Sequence, residues 1–162
     1  MITINKFAGL VAAPFTPMDK DGNLNLDLVP EYYSFLEKNS IVGVFINGSN
    51  GEGVSMTQKE KQIHASKWAE CLRKGGKTRI INLVGGTSYN ECIENAVFSA
   101  EAGLSAIALL APYYFKPSDE TQLAEFVARV GESVPDTPVY FYHIPVLTGL
   151  REIQVAGKKY DG

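Results

Sequence analysis

Short continuous apolar runs alternate along the chain with longer segments in which apolar residues recur every three or four positions. The runs Leu10-Val11-Ala12-Ala13-Pro14, Ile41-Val42-Gly43-Val44-Phe45-Ile46, Arg79-Ile80-Ile81-Asn82-Leu83-Val84, Ala106-Ile107-Ala108-Leu109-Leu110-Ala111 and Val139-Tyr140-Phe141-Tyr142 lack in–out alternation. Such runs suit parallel strands buried on both faces. Helices are expected between them, over 26–38, 57–74, 92–102 and 118–130. Leu28, Tyr32, Phe35 and Leu36 share one helical face, and Pro30 is tolerated near the start. Thr57 to Glu60 and Ser88 to Glu91 read as capping boxes, and Ser118 reads as a cap. Trp68, Cys71 and Leu72 centre the inward stripe of the second helix, flanked by Ile63 and Ala65.

Strand and helix therefore alternate four times and a fifth strand follows. The fold class is α/β with about five parallel strands and four helices, and two architectures fit: an open doubly wound sheet, or part of a (β/α)8 TIM barrel. A full barrel takes roughly 250 residues, and 162 residues hold five strands of its eight. Residues 151–162 are polar and lack a cap. The expected division is 1–150 as the N-terminal part of a barrel and 151–162 as a divergent polar tail.

The remaining composition narrows the chemistry. A net charge of −3 implies no basic surface, so neither nucleic acid nor an anionic membrane is an expected partner. Cys71 and Cys92 have no CxxC spacing and read as small core residues. The start Met1-Ile2-Thr3-Ile4-Asn5-Lys6 is too short and polar for a signal peptide, which points to the cytoplasm. Asp19-Lys20-Asp21-Gly22-Asn23 imitates a calcium loop, but Leu24 and Pro30 occupy the positions that need glycine and glutamate. No metal and no cofactor is expected.

In either parallel architecture, chemistry sits at the C-terminal ends of the strands. Gly48-Ser49-Asn50-Gly51-Glu52-Gly53 can turn backbone N–H groups toward a carboxylate or phosphate, with side-chain donors on Ser49 and Asn50. It is neither a Walker loop nor a dinucleotide fingerprint, and a plain turn stays open. Pro112-Tyr113-Tyr114-Phe115-Lys116-Pro117 is a stiff aromatic loop, suited to a lid or an oligomer contact. Tyr142 at the end of the fifth strand can shuttle a proton, whereas His143 points to the opposite face and reads as structural. His64 reads as a partly buried structural side chain.

Taken together, Gly9-Leu10-Val11-Ala12-Ala13-Pro14-Phe15-Thr16-Pro17, Gly48-Ser49-Asn50-Gly51-Glu52, Pro112-Tyr113-Tyr114 and Tyr142-His143-Ile144-Pro145-Val146-Leu147-Thr148-Gly149 resemble the N-acetylneuraminate lyase and dihydrodipicolinate synthase family. The resemblance implies a (β/α)8 barrel, usually a homotetramer, that joins or cleaves C–C bonds through a pyruvate Schiff base on lysine. Its dihydrodipicolinate synthases carry an arginine shortly after the strand-five tyrosine. Residues 143–149 contain none, and the stretch is instead similar to the sialic acid lyases of animals. The implied substrates are sialic acid and pyruvate. Ser49, Asn50 and the main-chain donors of the loop, Gly51 among them, would hold the pyruvate carboxylate. Tyr142 would relay the substrate hydroxyl proton, Tyr114 would support it from a neighbouring subunit, and Glu52 would brace the loop. Asn50 stands where the family usually has threonine, and an amide relays protons poorly.

The Schiff-base lysine belongs on strand six. Gly157-Lys158-Lys159-Tyr160 echoes the family's Gly-x-Lys-aromatic pattern, which makes Lys159 the candidate. Only 17 positions separate it from Tyr142, short for a helix and its loops. The expectation is a chain that lacks the usual lysine and is inactive alone. The alternatives are a non-catalytic isoform that binds full-length subunits, and another pyruvate-dependent aldolase of the family.

Overall fold

The computed structural model describes residues 7–150, together with the backbone of 152–155 and 158–161. Five parallel strands form one sheet: β1 (Val11–Ala12), β2 (Gly43–Ile46), β3 (Arg79–Leu83), β4 (Ala106–Leu110) and β5 (Val139–Tyr142). Their order is β1-β2-β3-β4-β5, so each strand pairs with its neighbour in the chain. A doubly wound sheet would reverse direction partway, so the barrel order is the one adopted. The connecting helices are α1 (Val29–Lys38), α2 (Gln58–Arg73), α3 (Tyr89–Glu101) and α4 (Glu120–Glu132). A one-turn helix, α5 (Pro145–Thr148), follows β5 with proline at its first position.

Alternate strand residues feed two different cores. Val44, Ile46 and Ile80 pack beneath α1 and α2 against Val29, Tyr33, Ala65 and Trp68. Ile107 and Leu109 pack beneath α3 and α4 against Cys92, Ala96 and Val130. The opposite face holds Ile81, Leu83, Ala106, Ala108 and Leu110, with Phe45 and Tyr140. That inner face is concave. Phe45 of β2 and Tyr142 of β5 meet edge to face at 5.4 Å between ring centroids. In a flat sheet their strands, three steps apart, would lie about 14 Å from one another. Phe7 spans the same concavity, covering Gly43 and meeting Tyr140 at 5.7 Å. The small side chains of Ala106 and Ala108 suit its crowded inner wall.

Several local expectations need correction. The first run was expected to be buried, yet β1 is only two residues long and Leu10 is 71% exposed. It is an edge strand, first in the sheet order, so its apolar residues have no outer neighbour among the described residues. The fourth helix is capped by Asp119, whose carboxylate accepts the Gln122 N–H at 2.9 Å, and not by Ser118. Ser118 instead donates its own N–H to Gln122 Oε1. Thr57 and Glu60 make the full capping box of α2, while α3 begins at Tyr89 behind Ser88. In α2 the inward stripe includes His64, fully buried, whereas Ile63 is exposed.

Beyond Leu150 the backbone forms an antiparallel hairpin of β6 (Glu152–Val155) and β7 (Lys158–Asp161), separate from the parallel sheet, with β6 beside α4. Cys71 and Cys92 are buried free thiols, and burial pushes the Cys92 thiol up to about 11. No helix among the described residues is long and apolar enough to cross a membrane.

Candidate active site

The loop after β2 is fixed from three sides. Its first residue, Asn47, takes a left-handed backbone with φ 58°, which turns the chain sharply at the strand end. The Gly53 N–H returns to the Gly48 carbonyl at 3.1 Å, and the Glu52 N–H to the Ser49 carbonyl at 3.0 Å. Only glycine fits at 53, because a Cβ there would stand 2.0 Å from the Asn47 carbonyl oxygen. Thr16, in the segment after β1, donates to the Gly51 carbonyl at 2.6 Å. Ser49 and Asn50 are left exposed at the tip, and Asn50 Nδ2 donates to the Ala13 carbonyl at 3.3 Å. The brace expected of Glu52 is supplied by its main chain, together with Thr16 and Asn47.

Tyr142 lies at the same end of the sheet, its ring against Phe45 and 42% exposed. The phenol ring therefore lies on the concave side, against the Phe45 ring that also lies beside Gly48. Tyr114 packs edge-on against Phe115 at 4.9 Å, and the two rings are 76% and 83% exposed. They project from the loop after β4 and leave Tyr113 to pack on the inner core. His143 turns the other way, its ring beside Phe141 at 5.9 Å, and its buried nitrogens have no hydrogen-bond partner among the described residues. Lys159 stands in β7 opposite Gln154, outside the parallel sheet, and Gly157 lies outside the described residues. Among the described residues no cluster of His, Cys, Asp and Glu could hold a metal.

Sequence reasoning missed what stands behind the loop. Trp68 Nε1 donates to His64 Nε2 at 2.8 Å. An indole N–H can only donate, so Nε2 is bare and the proton sits on Nδ1. That proton is donated to Asn47 Oδ1, 2.7 Å away. Asn47 Nδ2 in turn donates to Asn82 Oδ1 at 2.8 Å and to the Lys61 carbonyl at 3.3 Å. Asn82 Nδ2 donates to Ser99 Oγ at 2.9 Å, and Ser99 Oγ to the Asn95 carbonyl at 2.6 Å. Trp68, His64, Asn47, Asn82, Ser99 and Asn95 are all buried. Burial alone pushes the His64 imidazole down to about 4, which keeps it neutral. The available signals were a His and Trp four apart on one helix and an asparagine, tolerant of left-handed backbone, opening a glycine loop.

Known proteins resemble this arrangement over nearly all of its length. The model of the Dihydrodipicolinate synthetase family matches residues 6–156. The N-acetylneuraminate lyase of Gallus gallus is 39% identical over 147 residues, covering 90% of this chain and 47% of that protein. The N-acetylneuraminate lyase of Danio rerio is 38% identical over 148 residues, covering 91% and 48%. The solved structure of Proteus mirabilis N-acetylneuraminate lyase superimposes with a TM-score of 0.84 at 29% identity, covering 90% of this chain and 48% of that one. The chain spans about half the length of the relatives it matches.

Proposed function

Since the chain belongs to the dihydrodipicolinate synthetase family, we propose that it carries the carboxylate-binding and proton-transfer half of an aldolase that cleaves N-acetylneuraminate to pyruvate and N-acetylmannosamine. The observation that supports this reading is that the loop and Tyr142 follow the C-terminal ends of two parallel strands, with the Phe45 ring against both Gly48 and Tyr142. Ser49, Asn50 and the Gly51 N–H hold the carboxylate of the pyruvate unit. Tyr142 takes the proton of the substrate hydroxyl as the adjacent C–C bond breaks. The electron pair of that bond needs an imine on lysine as its sink. Lys159, on the hairpin, is the candidate within this chain. We expect that it does not serve and that the chain alone is inactive. The absence of arginine from 143–149 favours a sugar over a second small acid as co-product.

The proposed setting is the cytoplasm, within a homotetramer. The exposed Tyr114–Phe115 pair, held between Pro112 and Pro117, supports a second reading in which this chain associates with full-length subunits without catalysing. The test is a pyruvate titration of the isotope-labelled chain, with borohydride trapping and a coupled assay for pyruvate released from N-acetylneuraminate. Shifts confined to the Ser49, Asn50 and Gly51 amides, with no trapped adduct and no release, are expected. Absence of those shifts refutes the carboxylate reading. Release that Tyr142→Phe abolishes would show the chain to be a complete enzyme and make Lys159 the first residue to replace.

A further inference from the structure

We propose that Asn47 is the positioning residue of the carboxylate loop, held in its left-handed backbone by the buried hydrogen-bond chain that runs from Trp68 through His64 to Asn82 and Ser99. The inference rests on the reading of Ser49–Gly51 as the carboxylate cradle. A left-handed conformation at a non-glycine residue is unfavourable and persists only where its surroundings fix it. Here the fixing groups are identifiable. The Asn47 amide accepts from the His64 ring and donates to Asn82 and to the Lys61 carbonyl, so its orientation is set by α2 and β3.

The chain has one direction throughout. Trp68 has no acceptor to offer, so every later group must donate onward, and the last proton lands on the Asn95 carbonyl of α3. Reversing any amide would place donor against donor or acceptor against acceptor. Two helices thus specify one rotamer of one asparagine. That rotamer sets the turn at the end of β2, and the Asn47 carbonyl forms the floor on which Gly53 closes. Satisfied networks of this kind rigidify what they hold, whereas a half-broken one leaves buried polar groups unpaired.

Two kinds of measurement on the full chain separate this role from general stability. Native-state hydrogen exchange compares the Glu52 and Gly53 N–H groups, which close the loop, with the Ile107 N–H, which bonds the Pro138 carbonyl in the core. His64→Leu is expected to speed loop exchange about tenfold beyond any change at Ile107. His64→Gln can accept from Trp68 and donate to Asn47, and is expected to restore the slow exchange. Should His64→Leu fail to fold, Asn47→Gly gives the same reading, because glycine keeps the left-handed backbone and deletes only the amide. Equal acceleration at loop and core, or none, overturns the proposal. A pyruvate titration then reads the consequence: variants with a loosened loop should bind about tenfold more weakly, and unchanged affinity in a loosened loop also overturns it. If the wild type shows no pyruvate shifts, the carboxylate reading falls while the exchange comparison still decides the role of Asn47.

Discussion

Thr16 Oγ1 donates to the Gly51 carbonyl at 2.6 Å, so the loop after β2 is stapled to the segment that follows β1. The bond is buried, and Thr16 is 8% exposed. Thr16→Val keeps the shape and removes the donor, leaving the Gly51 carbonyl unpaired. The expected cost is about 1–2 kcal/mol, read as a lower urea midpoint, with faster amide exchange at 51–53. A midpoint equal to wild type would show that water replaces the hydroxyl at no cost.

Stability should depend on pH through His64. Its ring is held at about 4 in the fold by burial, against an ordinary value of 6.5. The neutral form is the one the fold favours. The stabilisation is therefore complete above 6.5, is lost as pH falls from 6.5 toward 4, and changes no further below that. At 1.36 kcal/mol per pKa unit the loss is roughly 3 kcal/mol. Urea melts at several pH values across that window should show it, and His64→Gln should remove that part of the slope. A wild-type slope that survives in His64→Gln would assign the effect to other groups.

Gly53→Ala is expected to be among the most damaging small changes. The added methyl would sit 2.0 Å from the Asn47 oxygen and 2.7 Å from its carbonyl carbon, both backbone atoms that cannot swing aside. The loop must open or β2 must shift, at a cost of about 2–3 kcal/mol. Thermal melts measure the loss. A variant within about 0.5 kcal/mol of wild type would mean that the loop tolerates a second conformation.

The chain should self-associate. Among the described residues β1 and β5 each leave one edge unpaired, and β5 is aromatic and uncharged. Phe15, Pro17, Leu28, Tyr32 and Phe35 line an open apolar groove of about 440 Å³. Sedimentation velocity should show mass rising with concentration, and Phe15→Ser with Phe35→Ser should reduce it. A wild type that sediments as a monomer at every concentration would contradict this.

Much of this was legible in the residues themselves. Short continuous runs such as Ala106 to Leu110 suit strands covered on both sides, and the full capping box at Thr57 marks the start of α2. Edge exposure was not legible, because Leu10 is as apolar as any core residue and its burial depends on what lies next to β1. The cap at Asp119 was missed because Ser118, one residue earlier, offers the same chemistry. The chain behind the loop escaped notice for a different reason. Asn47, His64 and Asn82 are far apart in sequence, and only the parallel registration of β2 on β3, Ile46 opposite Asn82, brings two of them together. Ser49, Asn50 and Tyr142 were singled out because strand ends are where parallel folds place chemistry, and they lie at the ends of β2 and β5 in the structure.

The strictly sequential strand order also governs how the molecule is made. Each strand bonds to the one synthesised just before it, never to one still to come by way of a distant detour. During synthesis, a newly emerged strand thus meets a partner already laid down, with a single helix to wrap between them. Assembly can keep pace with translation, and besides the outer edge of β1 the edge exposed at any moment is the one awaiting the next strand.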